Sequence, residues 1–133
     1  MAIPNGSGGY QVGSGNPGEP LLFPQGAPTA VAAAATATAA QLINGLFTFD
    51  GSAGNLTLPT VALLEAELPA VQKADLAFDF YVINIDASGS DAVTVAIGTG
   101  WTLVGAGAVS AATSGHFRAR KTGVGTWTCY RIS

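Results

Sequence analysis

The sequence predicts a small, mainly β fold: an antiparallel β-sandwich or barrel with one or two short helices and an extended N-terminal arm. The main observation is that apolar residues recur over positions 74–132 with the period of two that a β-strand imposes. Stretches rich in Gly, Asp and Ser separate the alternating runs, as expected of turns. A length of 133 residues fits one domain. We therefore divide the chain into an arm at residues 1–28 and a β-rich body at residues 29–133.

The C-terminal half contains most of the predicted strands. The first covers residues 76–82, and Ile83 and Ile85 extend its apolar character to both faces, which predicts that its end is buried on both sides. A turn is predicted at residues 86–91. Further strands are predicted over residues 92–97, 101–104, 116–121 and 126–132. The glycines of Gly123-Val124-Gly125 predict a hairpin between the last two strands.

A short helix is predicted before these strands. Residues 30–37 are rich in alanine but are predicted to be extended up to Ala37. Thr38, followed three residues later by Gln41, is typical of a capping box, in which the two residues exchange hydrogen bonds between side chain and backbone. Asn44-Gly45 predicts the end of the helix, because glycine readily adopts the left-handed conformation found there.

A second short helix is predicted over residues 61–68. Thr60 supplies an N-cap, and Pro69 ends the helix. Glu65 and Glu67 are predicted to face water. Two short strands, at residues 46–50 and 56–58, precede this helix.

The N-terminal arm is unusual for a terminal segment. Residues 1–28 hold seven of the 18 glycines and five of the seven prolines, with Glu19 as the one charge. These residues oppose a continuous helix or a central strand. Apolar residues are nevertheless spaced along the arm, and we predict that they contact another protein surface: Tyr10, Val12, Leu21, Leu22 and Phe23. The alternative is an unstructured terminus.

Composition narrows the classes of partner. Charged residues make up only 10% of the chain and hydrophobic residues 48%, which favours a surface covered in part by neighbouring subunits over an ordinary small β-domain. The net charge of -3 argues against direct nucleic-acid binding. Residues 30–40 are too few and too weakly apolar to span a membrane. Residues 1–6 lack the features of a signal peptide, which predicts synthesis and retention in the cytoplasm.

The charged residues are segregated along the sequence. All eight acidic residues precede Arg118, and four of the five basic residues lie at or after it. Asp79 lies in mid-strand and needs a partner if it is buried. We predict ion pairs, within or between subunits, that join Arg118, Arg120 and Arg131 to acids such as Asp79, Asp86 or Asp91. The alternative is a basic patch for phosphate or sugar, with Phe117, Trp127 and Tyr130 beside the arginines.

The sequence offers little for catalysis, and no catalytic, cofactor-binding or metal-binding residue is predicted. Cys129, the single cysteine, lies in an alternating strand beside Trp127 and is predicted to be a buried, inert thiol. With one His and one Cys, a structural zinc site within the monomer is not expected. Ser114 lacks the nucleophile elbow that would make Ser114-Gly115-His116 part of a triad. We therefore expect a protein that is not an enzyme.

Four stretches resemble a family of tailed-phage virion proteins, the head decoration or cement proteins. They are PNGSGGYQVG at residues 4–13, GTGWTLVG at 98–105, SGHFRARKTG at 114–123 and TWTCYRI at 126–132. The resemblance implies a mainly β subunit, commonly trimeric, that binds the major capsid protein on the outer surface of the virion after synthesis in the host cytoplasm. It implies no catalytic residue.

The main alternative is a carbohydrate-binding or adhesin domain of a phage tail fibre or spike. Small β-sandwiches often bind sugars, although fold analogy alone does not establish this function. Four aromatic residues are candidates for the sugar platform: Tyr81, Trp101, Trp127 and Tyr130.

Overall fold

The body of the protein is built from two β-sheets. A computed structural model describes residues 24–68 and 73–133, which form ten strands and two short helices. The strands are β1 (Thr29–Val31), β2 (Ala35–Thr36), β3 (Leu46–Phe49), β4 (Gly54–Thr57), β5 (Ala77–Asn84), β6 (Val93–Ala96), β7 (Trp101–Val104), β8 (Ala108–Val109), β9 (Ser114–Gly123) and β10 (Thr126–Arg131); the helices are α1 (Ala39–Asn44) and α2 (Val61–Glu67). One sheet has six strands in the order β1-β3-β5-β9-β10-β7, and the other has four in the order β2-β4-β6-β8. The predicted mainly β class is confirmed.

The sheets are mixed rather than purely antiparallel. From β1 to β8 the chain alternates between the six-stranded and the four-stranded sheet. Five of the eight strand pairings are parallel, and only β5–β9, β9–β10 and β6–β8 are antiparallel. The expectation of an antiparallel architecture is therefore wrong in this respect. Side-chain alternation has the same period in both arrangements, so it does not report strand direction.

The hydrophobic core lies between the facing sides of the two sheets. Large core side chains that are no more than 1% exposed come from both sheets: Phe47, Phe80, Phe117, Leu56 and Val95. The Phe80 and Phe117 rings stack with their centroids 5.2 Å apart. A Cβ atom added at Gly115 would lie 2.9 Å from a methyl group of Val109 in the other sheet, so glycine is needed for this close approach.

Both helices pack on the core through the fully buried Leu42 and Leu64, and both helix predictions are confirmed. The Thr38 hydroxyl accepts a hydrogen bond from the Gln41 backbone N–H at 3.2 Å, and Gln41 Oε1 accepts one from the Thr38 N–H at 3.0 Å, which completes the capping box. Gly45 follows α1 with a φ of 81°. Thr60 caps α2. Within the described residues, neither helix is long and apolar enough to cross a membrane.

The end of β5 departs from its prediction. Ile85 is 51% exposed, so the expectation that this end is buried on both sides is wrong. Asn84 is buried instead, and its amide Nδ2 donates hydrogen bonds to the carbonyl oxygens of Asp91 and Val109 at 2.8 and 3.0 Å. An apolar pattern shows which residues favour burial, but it does not show whether a second layer is there to cover them.

Most other strands lie close to their predicted positions. The hairpin between β9 and β10 is confirmed, with Val124 and Gly125 at its tip. Residues 35–36 are extended, as expected. β4 begins at Gly54, two residues before the predicted start, and β8 was not predicted. A strand of two residues is too short for an alternating pattern to be recognised.

The base of the arm joins the body at the end of α1. Gln25 Nε2 donates to the Asn44 carbonyl oxygen at 2.9 Å, and the Gly26 N–H donates to Asn44 Oδ1 at 3.0 Å. Asn44 Nδ2 donates in turn to the Ala27 carbonyl oxygen at 2.9 Å. The residues predicted to make arm contacts lie outside the described residues, and their role stays a prediction: Tyr10, Val12, Leu21, Leu22 and Phe23.

Candidate functional site

The solvent-facing side of the six-stranded sheet is the candidate functional site, and we call it the outer face. It carries the residues of β5, β9, β10 and β7 that alternate with the core-facing ones. Four large apolar residues that follow this alternation, in these strands or one residue beyond their ends, are 44–51% exposed on the outer face: Tyr81, Ile85, Val104 and Ile132. Strand register places Tyr81 beside His116 and Val104 beside Tyr130. Several exposed apolar residues on one face indicate a contact surface, whereas isolated ones do not.

Asp79 lies at the centre of a polar cluster on the outer face. It pairs across the strands with Arg118, whose Nε and Nη2 atoms donate to the two carboxylate oxygens at 2.7 and 3.0 Å. His116 Nε2 lies 2.8 Å from Asp79 Oδ2. The predicted ion pair between Asp79 and Arg118 is therefore confirmed, and it is bidentate.

The surroundings of Asp79 stabilise its charged form. The hydrogen bond from Arg118 is the main reason that the pKa of Asp79 falls from 3.8 to about 2, and His116 lowers it further while partial burial opposes the change. The same pair raises the pKa of Arg118. Asp79 and Arg118 are consequently both ionised throughout the neutral range.

Tyr81 covers one side of this cluster. Its ring stacks on the His116 imidazole with the centroids 4.6 Å apart and the planes 21° from parallel. The tyrosine is 44% exposed, so a flat aromatic surface lies next to charged hydrogen-bonding groups. Such a combination suits contact with a protein surface or a sugar ring.

Arg120 lies two residues along the same strand face but has a different acidic partner. Its Nη1 atom donates to Asp75 Oδ1 at 2.5 Å, and its Nε and Nη2 atoms donate to the Tyr130 hydroxyl at 3.1 and 2.9 Å. Tyr130, followed by Asp75, raises the pKa of Arg120. An ion pair is confirmed for Arg120, although its partner Asp75 was not among the acids expected.

Arg131 does not belong to the outer face. Among the described residues of the single chain it forms no ion pair with an acid, so the pairing predicted for it within the subunit is wrong. Its register partner is the core residue Phe117, and its guanidinium carbon lies 5.0 Å from the centroid of that ring. Nη1 donates to the carbonyl oxygens of Ala106 and Ala108 at 3.2 and 2.8 Å, and Nε donates to that of Ser133. Arg131 therefore ties the end of β10 to the connection between β7 and β8.

A basic patch built from the three arginines is not present. Arg118 and Arg120 face outwards with acidic partners, whereas Arg131 faces the core edge. Phe117 and Trp127 are 0% and 1% exposed, so neither can stack on a ligand at the surface. Within the chain Asp86 is not paired with an arginine: its carboxylate accepts hydrogen bonds from Ser88 and from the Asp91 N–H, which organises the turn at residues 86–91.

Sequence reasoning missed an ion pair between the buried Lys121 and the partly buried Glu65. Lys121 is 5% exposed, whereas the Glu65 side chain keeps 27% of its surface exposed and binds Lys121, so the expectation that Glu65 faces water holds only in part. Trp127 Nε1 also donates to Glu65 Oε2, at 3.1 Å. The alternation along β9 could have revealed the burial of Lys121, because Lys121 lies on the same strand face as the core residues Phe117 and Ala119.

The remaining reactive groups are held in structural roles. Cys129 is buried, as predicted, and burial raises its pKa to about 12, which keeps it a neutral thiol. Among the described residues no group of His, Cys, Asp and Glu has the arrangement of a metal site, and the His116 imidazole is hydrogen-bonded to Asp79 rather than to Ser114. The exposed apolar residues and paired charges of the outer face can support binding to another molecule.

No protein-family model, curated protein or solved structure matches the chain.

Proposed function

We propose that this protein is a structural virion protein that decorates and cements the outside of a tailed-phage capsid by binding the major capsid protein. The resemblance of four sequence stretches to those of head decoration proteins supports this role. A cement protein stabilises the assembled shell because it binds that state and not the dissociated subunits. No catalytic step is part of the proposal.

The observation that carries the proposal is the outer face. Tyr81, Val104 and Ile132 expose nearly half of their surface on one side of a sheet. The charged residues beside them already form ion pairs within the chain, so a partner can cover this face without leaving an unpaired charge. Such a surface, apolar with internally paired charges, resembles the centre of a protein–protein interface.

Binding to undecorated capsids would test the role of the outer face. We expect Val104→Asp to weaken co-sedimentation with these capsids at least about tenfold, because a charge would be buried in the contact. Val124→Asp is the matched control, since Val124 is 99% exposed at the hairpin tip. Equal binding of both variants and the parent protein would argue against the outer face as the capsid-binding surface. Failure of the parent to bind any capsid would overturn the proposed function.

We also propose that the protein acts as a homotrimer. A trimer engages several capsid subunits at once, so individually weak contacts combine into strong binding. The low charge content of 10% supports coverage by copies of the same chain. Light scattering at tens of micromolar should give the mass of three chains; a monomer there and on the particle would contradict the trimer.

A second candidate is a carbohydrate-binding or adhesin domain of a tail fibre or spike. The exposed Tyr81–His116 stack beside Asp79 and Arg118 favours it, because sugars bind to aromatic faces flanked by charged hydrogen-bonding groups. Trp101 and Trp127 are 6% and 1% exposed and are unavailable for this purpose. Glycan-array binding that is lost in Tyr81→Ala, together with no binding to capsids, would favour this candidate over the first.

A further inference from the structure

An apolar groove opens between the two helices and the start of β5. It has a volume of about 290 Å³, and its described lining residues are Ile43, Leu68, Leu76, Ala77, Phe78 and Trp127. Ile43 and Leu76 form an exposed rim, 39% and 43% accessible. Phe78 meets Trp127 edge to face with the centroids 5.7 Å apart, which provides a rigid aromatic floor. A groove of this kind fits apolar side chains rather than a charged ligand.

The arm enters the body next to this groove. Asn44 holds Gln25, Gly26 and Ala27 through its backbone and side chain, and it directly follows the rim residue Ile43. The three residues before Pro24 are Leu21, Leu22 and Phe23. At about 3.3 Å per residue, they reach about 10 to 16 Å from the fixed Gly26.

We propose that Leu21-Leu22-Phe23 of the same chain docks into this groove and anchors the arm to the body. Pro20 and Pro24 flank this apolar tripeptide. Because proline restricts the chain before docking, less conformational entropy is lost when the tripeptide binds. The anchor leaves residues 1–19, with Tyr10 and Val12, to reach a partner from a fixed point beside α1. This docking is a property of the isolated chain and does not depend on the proposed capsid role.

A disulfide trap tests the docking directly. In the full-length chain, Phe23→Cys combined with Leu76→Cys should form an intramolecular disulfide under mild oxidation. Such a bond needs the two Cα atoms within about 7 Å of each other. The native Cys129 can stay in place, because it is buried with its pKa raised to about 12 and does not compete as a thiolate.

The matched control pairs Phe23→Cys with Ala40→Cys. Ala40 lies on α1 about 6 Å along the helix axis from Asn44, so the tether reaches it, but it does not line the groove. We expect the disulfide to form at least fivefold faster in the variant with Phe23→Cys and Leu76→Cys than in the variant with Phe23→Cys and Ala40→Cys. Equal closure of both pairs, no closure, or closure only between chains would overturn docking within one chain.

A second measurement does not require cysteines. Phe23→Asp should lower the melting temperature of the isolated protein by roughly 5 °C, since an apolar contact is replaced by a charge in an apolar groove. Tyr10→Asp should leave it unchanged, because Tyr10 lies on the distal arm. If the Phe23→Asp variant has the same melting temperature as the parent protein, the docking is contradicted, whether or not the protein binds capsids.

Discussion

Lys121 on β9 and Glu65 on α2 form an ion pair in which the lysine side chain is only 6% exposed. Lys121 Nζ also lies 5.9 Å from the centroid of the Trp127 indole ring, and that indole donates to the same Glu65 oxygen. The hydrogen bond from Lys121 is the main reason that the pKa of Glu65 lies below its usual value, against the opposing effect of burial. The cluster ties α2 to the six-stranded sheet.

Removing Glu65 should destabilise the protein strongly. We expect Glu65→Ala to lower the free energy of unfolding by about 3 kcal/mol, because a buried ammonium group would be left without a counter-charge. Urea unfolding followed by tryptophan fluorescence measures the change. Glu67→Ala is the control, since Glu67 is exposed on the same helix and its loss should change stability by less than about 0.5 kcal/mol. Similar losses in both variants would show that the pair is not structurally important.

Stability should depend on Asp79 at acidic pH. Its pKa is about 2 in the folded protein against an ordinary value of 3.8, so the unfolded chain binds the extra proton between these two values. Stability from this group is therefore complete above about pH 4 and is lost as the pH falls towards 2. Melting curves between these limits should show a weaker pH dependence for Asp79→Asn than for the parent. Parallel curves for the two proteins would contradict the assignment.

The arginines should differ in their contributions to stability. We expect Arg131→Ala to cost about 2 kcal/mol, because it removes hydrogen bonds to three carbonyl groups and the packing of the side chain on Phe117. Arg118→Ala should cost only about 0–1 kcal/mol, since the side chain of Arg118 is 50% exposed. Chemical denaturation of both variants measures the difference. A larger loss in Arg118→Ala than in Arg131→Ala would reverse this order.

Ala112 offers a route to greater stability. It adopts a φ of 57°, a left-handed conformation that is unfavourable for a residue with a Cβ atom. We expect Ala112→Gly to raise the free energy of unfolding by about 0.5–1 kcal/mol. The neighbouring Ala111 does not have a positive φ, so Ala111→Gly should lower stability through the entropy of the unfolded chain. Thermal unfolding that shows the same direction of change in both variants would contradict this explanation.

The ion pairs of this protein could be predicted only in part from the sequence. Segregation of acids and bases predicted ion pairs for Arg118 and Arg120, and both exist. It did not identify Asp75 as the partner of Arg120, because these residues lie 45 positions apart and meet only through the pairing of β5 with β9. Lys121 was overlooked because a basic residue on a core-facing position is unusual unless a partner approaches from another element.

The sequence by itself determined the local structure. Both helix caps, the hairpin at Gly123-Val124-Gly125 and the alternation of the long strands depend on residues within about four positions of one another, so they could be predicted from neighbours alone. Only the tertiary structure decided the directions of the strands, the exposure of Ile85 and the partner of Lys121, which is 56 residues away. These features depend on which sheet a strand joins and on what lies above its face. That information comes from contacts between distant parts of the chain, which no local pattern records.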